Sequence, residues 1–324
     1  MLSVKNLNNF PVILPHLSVL TVHGEGRGGG EKVAEKIIEV YSESGKNLDL
    51  IKASDLSRAV TWFKTYQKSD KLQSKDVKIL CTSGPRDLPM ILLCIFYRIP
   101  FAVYLQVPYI KSISWKDPVH ALTIFFFLLI STLFATSRLT NSSQTSRSFW
   151  LNSEVVIPVN NKEISNTKLL KNKCPVKECL IITTACRYFP ERGKGSRDLH
   201  AMIQLLVECK KHNEKGGGKI FVRHYGSVHI DVKRKFDDFH DVITFCGYKS
   251  DWMKSENGPF IFLSNYEGFG LSAFEASQEG KIVFVNKAFP SELYELNSNI
   301  NVIDTTVKNF KYLEKVNEVC NNYN

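Results

Sequence analysis

The chain has 324 residues, 44% of them hydrophobic, with prolines and glycines spread along it, a globular composition whose length favours two domains over one. The formal net charge of +10 favours an anionic partner: nucleotide phosphate, nucleic acid or an acidic membrane surface. The basic residues are scattered rather than gathered in blocks, which argues against nucleic acid. Eight cysteines include no C-x-x-C pair, and several sit in apolar runs such as "CLIITTAC", where a thiol behaves as a small hydrophobe. A disulfide framework or a zinc site is therefore disfavoured, and a reducing, cytoplasmic compartment fits better.

In chain order, the apolar start "MLSVKNLNNFPVILPHLSVL" is interrupted by Pro11 and Pro15 and reads as a lead-in to a first strand, "LSVLTVH" (17–23). The glycine loop "GEGRGGG" follows, then a helix with an apolar stripe at Val33, Ala34, Ile37, Ile38 and Tyr41 that ends near Gly45. "LDLIKA", "VKILCTS" and "FAVYLQV" are further strands, separated by helical or loop segments. Strands alternating with helices predict a mainly parallel sheet covered on both faces.

The run "VHALTIFFFLLISTLFATS" (119–137) has no charged residue except His120 when protonated. It is long enough to be a buried helix leading into a strand "TLFATS", a helix lying in a membrane surface, or a span. A span would place two parts of one sheet on opposite sides of a bilayer, which strand pairing forbids, so burial or peripheral membrane contact remains. Trp115 and Lys116 beside the run suit an interface.

The polar stretch 160–178 reads as a hinge, dividing the chain into 1–160 and 161–324. The second half repeats the grammar: strand "CLIITTACRYF", helix near "RDLHAMIQLLVECKKH", then strands "GKIFVRHYG", "DVITFCGY", "PFIFLS" and "KIVFVN". The expectation is α/β, with two Rossmann-like domains facing each other across a cleft where ligands bind.

One stretch, "SNYEGFGLSAFEASQEG", places Glu267 and Glu275 either side of a glycine turn between a buried strand and a helix closing at Gly280. Gly268 and Gly270 would let the amides of Phe269, Gly270 and Leu271 face a ligand, and a helix N-terminus suits phosphate or a sugar hydroxyl. Glu275 follows Leu271 on the same helix face and could accept from a ribose diol, with Glu267 at the turn itself. By spacing alone, a capping carboxylate plus a surface glutamate fits equally well.

"YEGFGLSAFEA", with "EGKIVFVN" and "FPSELYEL" after it, resembles the EX7E signature of retaining glycosyltransferase family four, which has the GT-B fold. The resemblance implies that Glu267 lies by the donor sugar at the reaction centre and that Glu275 binds the nucleotide ribose. "TTACRYFPERGKG" is similar to the family segment whose arginine and lysine clasp the donor diphosphate. Arg187 takes the first position; the second falls on Arg192 or Lys194. Taken alone, that segment also reads as a solvated basic loop. "GRGGGEKVAEKI" resembles the glycine-rich loop of the lipid-linked oligosaccharide mannosyltransferases, as do "YLQVPYI", "ATSRLT" and "VVIPVN" their counterparts. That implies donor-phosphate contacts from Gly28, Gly29 and Gly30, where the residues by themselves allow a flexible turn at a helix start.

Two departures stand out. Gln106 occupies the acceptor-side position where many relatives carry histidine, and the sequence stops at Asn324 where relatives continue into a further helix. The spacing shows no H-E-x-x-H or D-x-D, so no metal or other cofactor is implied. The expectation is a retaining, metal-independent hexosyltransferase using a UDP- or GDP-linked sugar and a glycan or polyprenyl-lipid-linked acceptor, cytoplasmic or peripheral on the cytoplasmic face of a membrane. The alternative is a non-catalytic GT-B accessory subunit that binds a nucleotide sugar or a partner transferase.

Overall fold

A computed structural model describes residues 5–22, 29–68, 76–114, 117–165, 179–188, 196–216, 218–249, 251–255, 257–305 and 311–322. The chain divides into two compact units, Met1–Ile164 and Ser165–Asn324.

The first unit holds β1 (Lys5–Asn6), β2 (Val19–Val22), β3 (Asp49–Lys52), β4 (Ile79–Cys81), β5 (Phe101–Leu105), β6 (Ser137–Thr140) and β7 (Glu154–Ile157). They form one sheet in the order β1-β7-β6-β5-β4-β2-β3, and every pairing is parallel. All five residues of β5 are buried, as expected of a central strand covered on both faces. The covering helices include α1 (Gly29–Glu43), α2 (Leu56–Lys68), α3 (Leu88–Phe96) and α4 (Pro118–Phe134). In α1 the buried positions are Val33, Ala34, Ile37, Val40 and Tyr41, while Ile38 is only half-buried. Gly45, with φ +78°, takes the left-handed conformation that ends the helix. One core under this sheet joins Met90 and Ile91 of α3 with Ile124, Phe127 and Leu128 of α4 and Val103 of β5. Each such side chain contributes about 1.5–3 kcal/mol by leaving water.

Two details differ from the sequence reading. The lead-in contains a short edge strand: β1 pairs Lys5 with Val156 and Asn6 with Ile157 of β7. The apolar run stays helical to Phe134, so the strand starts only at Ser137, the last residue of "TLFATS".

The second unit holds β8 (Cys179–Ala185), β9 (Lys219–Tyr225), β10 (Ile243–Gly247), β11 (Phe260–Phe262), β12 (Val283–Asn286) and β13 (Ile300–Ile303). Their order is β10-β9-β8-β11-β12-β13, again parallel throughout. Among its helices are α5 (Leu199–Glu214), α6 (Leu271–Gln278) and α7 (Tyr312–Asn322). The Asp198 carboxylate caps α5 by accepting from the Ala201 amide at 3.0 Å. At the start of α7 the amides of Tyr312 and Leu313 donate to the two carboxylate oxygens of Glu208 on α5, at 3.1 and 2.9 Å. A distant carboxylate thus satisfies two amides that helix geometry leaves unpaired and meets the positive helix end.

Candidate functional site

In the second unit, β8, β9 and β10 step outward one way and β11, β12 and β13 the other, so the direction of winding reverses between β8 and β11. At such a point the connections diverge and leave a crevice outside the carboxyl ends of the strands. Arg187 follows β8 and is exposed; Glu267 and the glycine turn follow β11.

The segment leaving β11 is held in place by neighbouring chain. Ser264 exchanges hydrogen bonds with Asn286: its amide donates to Oδ1 at 3.3 Å and its carbonyl accepts from Nδ2 at 2.8 Å. Residues Ser196–Asp198 run antiparallel beside it, with the Asn265 amide donating to Ser196 O at 2.7 Å and the Asp198 amide to Leu263 O at 3.3 Å. This places Arg197 next to the turn. Its Nη1 donates to Glu267 Oε2 at 2.8 Å and to Ser264 Oγ at 2.8 Å, and its guanidinium lies 4.6 Å from the Phe262 ring centre. Glu267 Oε1 accepts from the Gly268 amide at 3.1 Å.

Burial on its own would lower the Arg197 pKa; the Glu267 carboxylate, followed by Cys186 and Tyr188, outweighs it and pushes the value up. Arg197 therefore stays charged at any working pH. Sequence reasoning missed it, because its partner is 70 residues away in the chain. The available signal was an arginine immediately before the helix-capping Asp198 in the loop after a strand.

Gly270 sets the turn. Its φ of +89° is left-handed, and a Cβ there would lie 2.6 Å from the Phe289 ring, so both backbone and space demand glycine. The amides of Ala273 and Phe274 donate to Gly270 O, both at 3.0 Å. The Leu271 and Ser272 amides precede these first helical bonds and are the groups α6 offers to an outside acceptor. Glu275 is half-buried one turn further on. Gly268 is buried, and the Phe269 ring is buried against Phe274, so Phe269 can meet a ligand only through its backbone.

Beneath the ends of β8 and β9 lies His224, fully buried against the Tyr188 ring at 4.7 Å and the Phe245 ring at 5.6 Å. Neither ring nitrogen has a hydrogen-bond partner among the described residues. Burial, opposed in part by the Cys186 backbone and helped by a smaller push from Arg197, brings its pKa down to about 3, so this imidazole is neutral. Arg192 and Lys194, the alternatives expected for a second cation, lie outside the described residues, as does Gly28.

In the first unit the winding reverses between β2 and β4. Gly29 and Gly30 open α1 just after β2, and Gln106 follows β5. A Cβ on Gly30 would meet Gln106 Oε1 at 3.5 Å, so Gly30 and Gln106 come together at this sheet edge. Gln106 donates to Thr82 O at 3.3 Å and its carbonyl accepts from Asn141 Nδ2 at 2.7 Å. Nearby, fully buried Asp87 accepts from the Ser83 amide at 2.6 Å. Burial raises its pKa to about 7 against the lowering by Ser83 and Thr21, so this carboxyl is largely protonated below neutral pH. Asp87 and Asn141 were not anticipated from the sequence.

Among the described residues no group of three or more His, Cys, Asp or Glu side chains is arranged to hold a metal ion. No protein-family model matches the chain, and no curated protein matches it. Solved structures do match. HepE from Anabaena in complex with UDP-glucose is 15% identical with a TM-score of 0.62, covering 95% of this chain and 89% of that one. The chain has the GT-B fold. WaaG, a glycosyltransferase involved in lipopolysaccharide biosynthesis, is 11% identical with a TM-score of 0.58 over 94% of this chain and 89% of its own. A trehalose-6-phosphate structure from E. coli bound with UDP-2-fluoro glucose is 11% identical with a TM-score of 0.59, covering 89% and 88%. The similarity is one of GT-B architecture carried by very different side chains.

Proposed function

We propose that the chain is a retaining glycosyltransferase that moves a sugar from a UDP- or GDP-linked donor to a glycan or lipid-linked acceptor. The observation that carries this reading is the turn at the second unit's reversal point. There Gly270 opens the N-terminus of α6 between Glu267 and Glu275, beside a fixed cation, Arg197. Amides and arginines at such an edge suit a diphosphate, and a carboxylate one helical turn on suits a ribose diol. HepE and the E. coli trehalose-6-phosphate structure, which share the fold, hold UDP-glucose and UDP-2-fluoro glucose.

In this reading the Leu271 and Ser272 amides, with Arg187 and either Arg192 or Lys194, take up charge as the diphosphate departs. The bond from the anomeric carbon to the phosphate oxygen breaks, and the bond to the acceptor oxygen forms on the same face. The acceptor proton passes to the departing phosphate oxygen, so no protein nucleophile is required. Glu267, held by Arg197 and its neighbouring amide, orients the donor sugar. Glu275 binds the ribose, and Gly30 with Gln106 belongs to the acceptor-side unit. In this reading the step needs no metal cofactor.

A second reading, an accessory subunit that binds a nucleotide sugar without turning it over, is favoured by Gln106 alone. Incubation with a panel of UDP- and GDP-sugars, followed by release of nucleoside diphosphate and the anomeric form of the product, separates the two. Release with retained configuration supports transfer. Binding without release leaves the accessory role, and an absence of binding removes both.

A further inference from the structure

α4 connects two adjacent parallel strands, β5 and β6, as a crossover helix on one face of the sheet. Its inner side is buried through Ala121, Ile124, Phe127, Leu128, Ser131 and Thr132. The outer side of such a helix is ordinarily polar. Here it is apolar: Val119, Leu122, Phe125, Phe126, Leu133 and Phe134 are 43 to 73% exposed. The surface continues sideways, since the Trp150 ring lies 5.7 Å from that of Phe125 and both Trp150 and Leu151 are 52% exposed. On α3, which packs against α4, Leu92 and Phe96 are exposed as well. Scattered exposed apolar residues are normal; a continuous set across neighbouring elements marks a contact surface.

Along the segment that carries this surface, basic residues outnumber acidic ones. Between residues 86 and 151 the basic residues are Arg86, Arg98, Lys111, Lys116, Arg138 and Arg147. The acidic residues there are Asp87, which is buried, and Asp117, which caps the start of α4 by accepting from the His120 amide. Arg147 is exposed and precedes Trp150 in the same short connection, and Arg98 is exposed just beyond Phe96. At the other end of α4, Arg138 donates to Thr132 O and Ala135 O at 3.1 and 3.0 Å, covering the last carbonyls. No helix among the described residues is long and apolar enough to cross a membrane.

We infer that the outer face of α4, with Trp150, Leu151, Leu92 and Phe96, seats on an anionic lipid surface: apolar rings enter the headgroup boundary while arginines meet lipid charge. Aromatic side chains suit that boundary, and a basic rim adds attraction that salt weakens. A second protein copy would bury the apolar area equally well but would bring one basic rim against another.

The test is flotation of the full chain with vesicles of phosphatidylcholine alone or mixed with phosphatidylglycerol, without donor, so its result is independent of the transfer reading. Wild type is expected to float with the anionic vesicles, less as salt rises, and weakly with neutral ones. Phe125→Ser/Phe126→Ser, checked for folding by thermal melting, should lose roughly tenfold in affinity per phenylalanine. Arg147→Glu, on an exposed side chain, should weaken only anionic binding by about fivefold or more and serves if the double variant does not fold. Wild type remaining in the soluble fraction with both vesicles overturns the inference. So does an Arg147→Glu variant with unaltered anionic binding, or sedimentation showing a dimer that the phenylalanine substitutions abolish while flotation is absent.

Discussion

The contact between Arg197 and Glu267 can be weighed directly. The charged atoms are 2.8 Å apart, and the two side chains are 21 and 19% exposed, between a surface pair and a buried one. Two unit charges about 4 Å apart attract by about 4 kcal/mol at an effective dielectric constant of about 20, and removal from water takes part of this back. Exposed pairs retain about 0.2–1 kcal/mol, while hydrogen bonds to charged groups retain about 1.5–3 kcal/mol. A coupling of about 1.5–2.5 kcal/mol is therefore expected. Arg197→Met, Glu267→Gln and the double variant, each unfolded in urea, give that coupling as the departure from additivity. Arg197→Met alone should cost more than the coupling, because the Ser264 bond and the contact with the Phe262 ring go with it. For a unit of this size the single variant should melt about 4–8 °C lower. Additivity within about 0.3–0.5 kcal/mol would refute the argument that this arginine fixes the glutamate.

Gly270→Ala should destabilise the second unit by about 2–4 kcal/mol, from a left-handed alanine and a methyl pressed on Phe289; a melting point within a degree of wild type would contradict this. His224 and Asp87 predict opposite pH dependences. With His224 held near 3 against an ordinary 6.5, its contribution is complete above about pH 6.5 and falls by about 1.4 kcal/mol per unit as pH drops toward 3. Asp87, raised from 3.8 to about 7, contributes fully below about pH 4 and loses that contribution as pH rises toward 7. Denaturation of His224→Phe and Asp87→Asn from pH 4 to 8 should give differences from wild type that slope in opposite directions; parallel curves would refute both assignments. Arg187→Ala should lower kcat more than it raises KM, because the charge on its partner grows as the diphosphate leaves; unchanged steady-state kinetics would remove Arg187 from the site.

Much of this molecule is legible in one dimension because its physics is local. The buried strands β5, β8 and β12 announce themselves as short apolar runs, and α1 by its helical stripe and closing glycine. The turn at Gly268 and Gly270 is likewise a local matter of backbone freedom. What escaped was decided by partners far off in the chain. Two residues of β1 become a strand only because β7 lies beside them. Arg197 becomes part of the site only because Ser264 and Glu267 come to it. Asp87 looks like an ordinary loop carboxylate until the packed sheet edge buries it. The sequence of the apolar run fits core and membrane surface alike because both demand the same residues; only its position beside the sheet shows that one side is buried and the other exposed.

The most direct measurement of the central claim is calorimetric titration of UDP, GDP and their sugar conjugates into wild type and Glu275→Ala. The account predicts that one nucleotide series binds wild type, and that the folded variant binds it more weakly by about 1.5–3 kcal/mol, the worth of hydrogen bonds from a ribose diol to a carboxylate. Equal affinity in the two proteins, or no binding of either series to wild type, would contradict a nucleotide-sugar site at this turn.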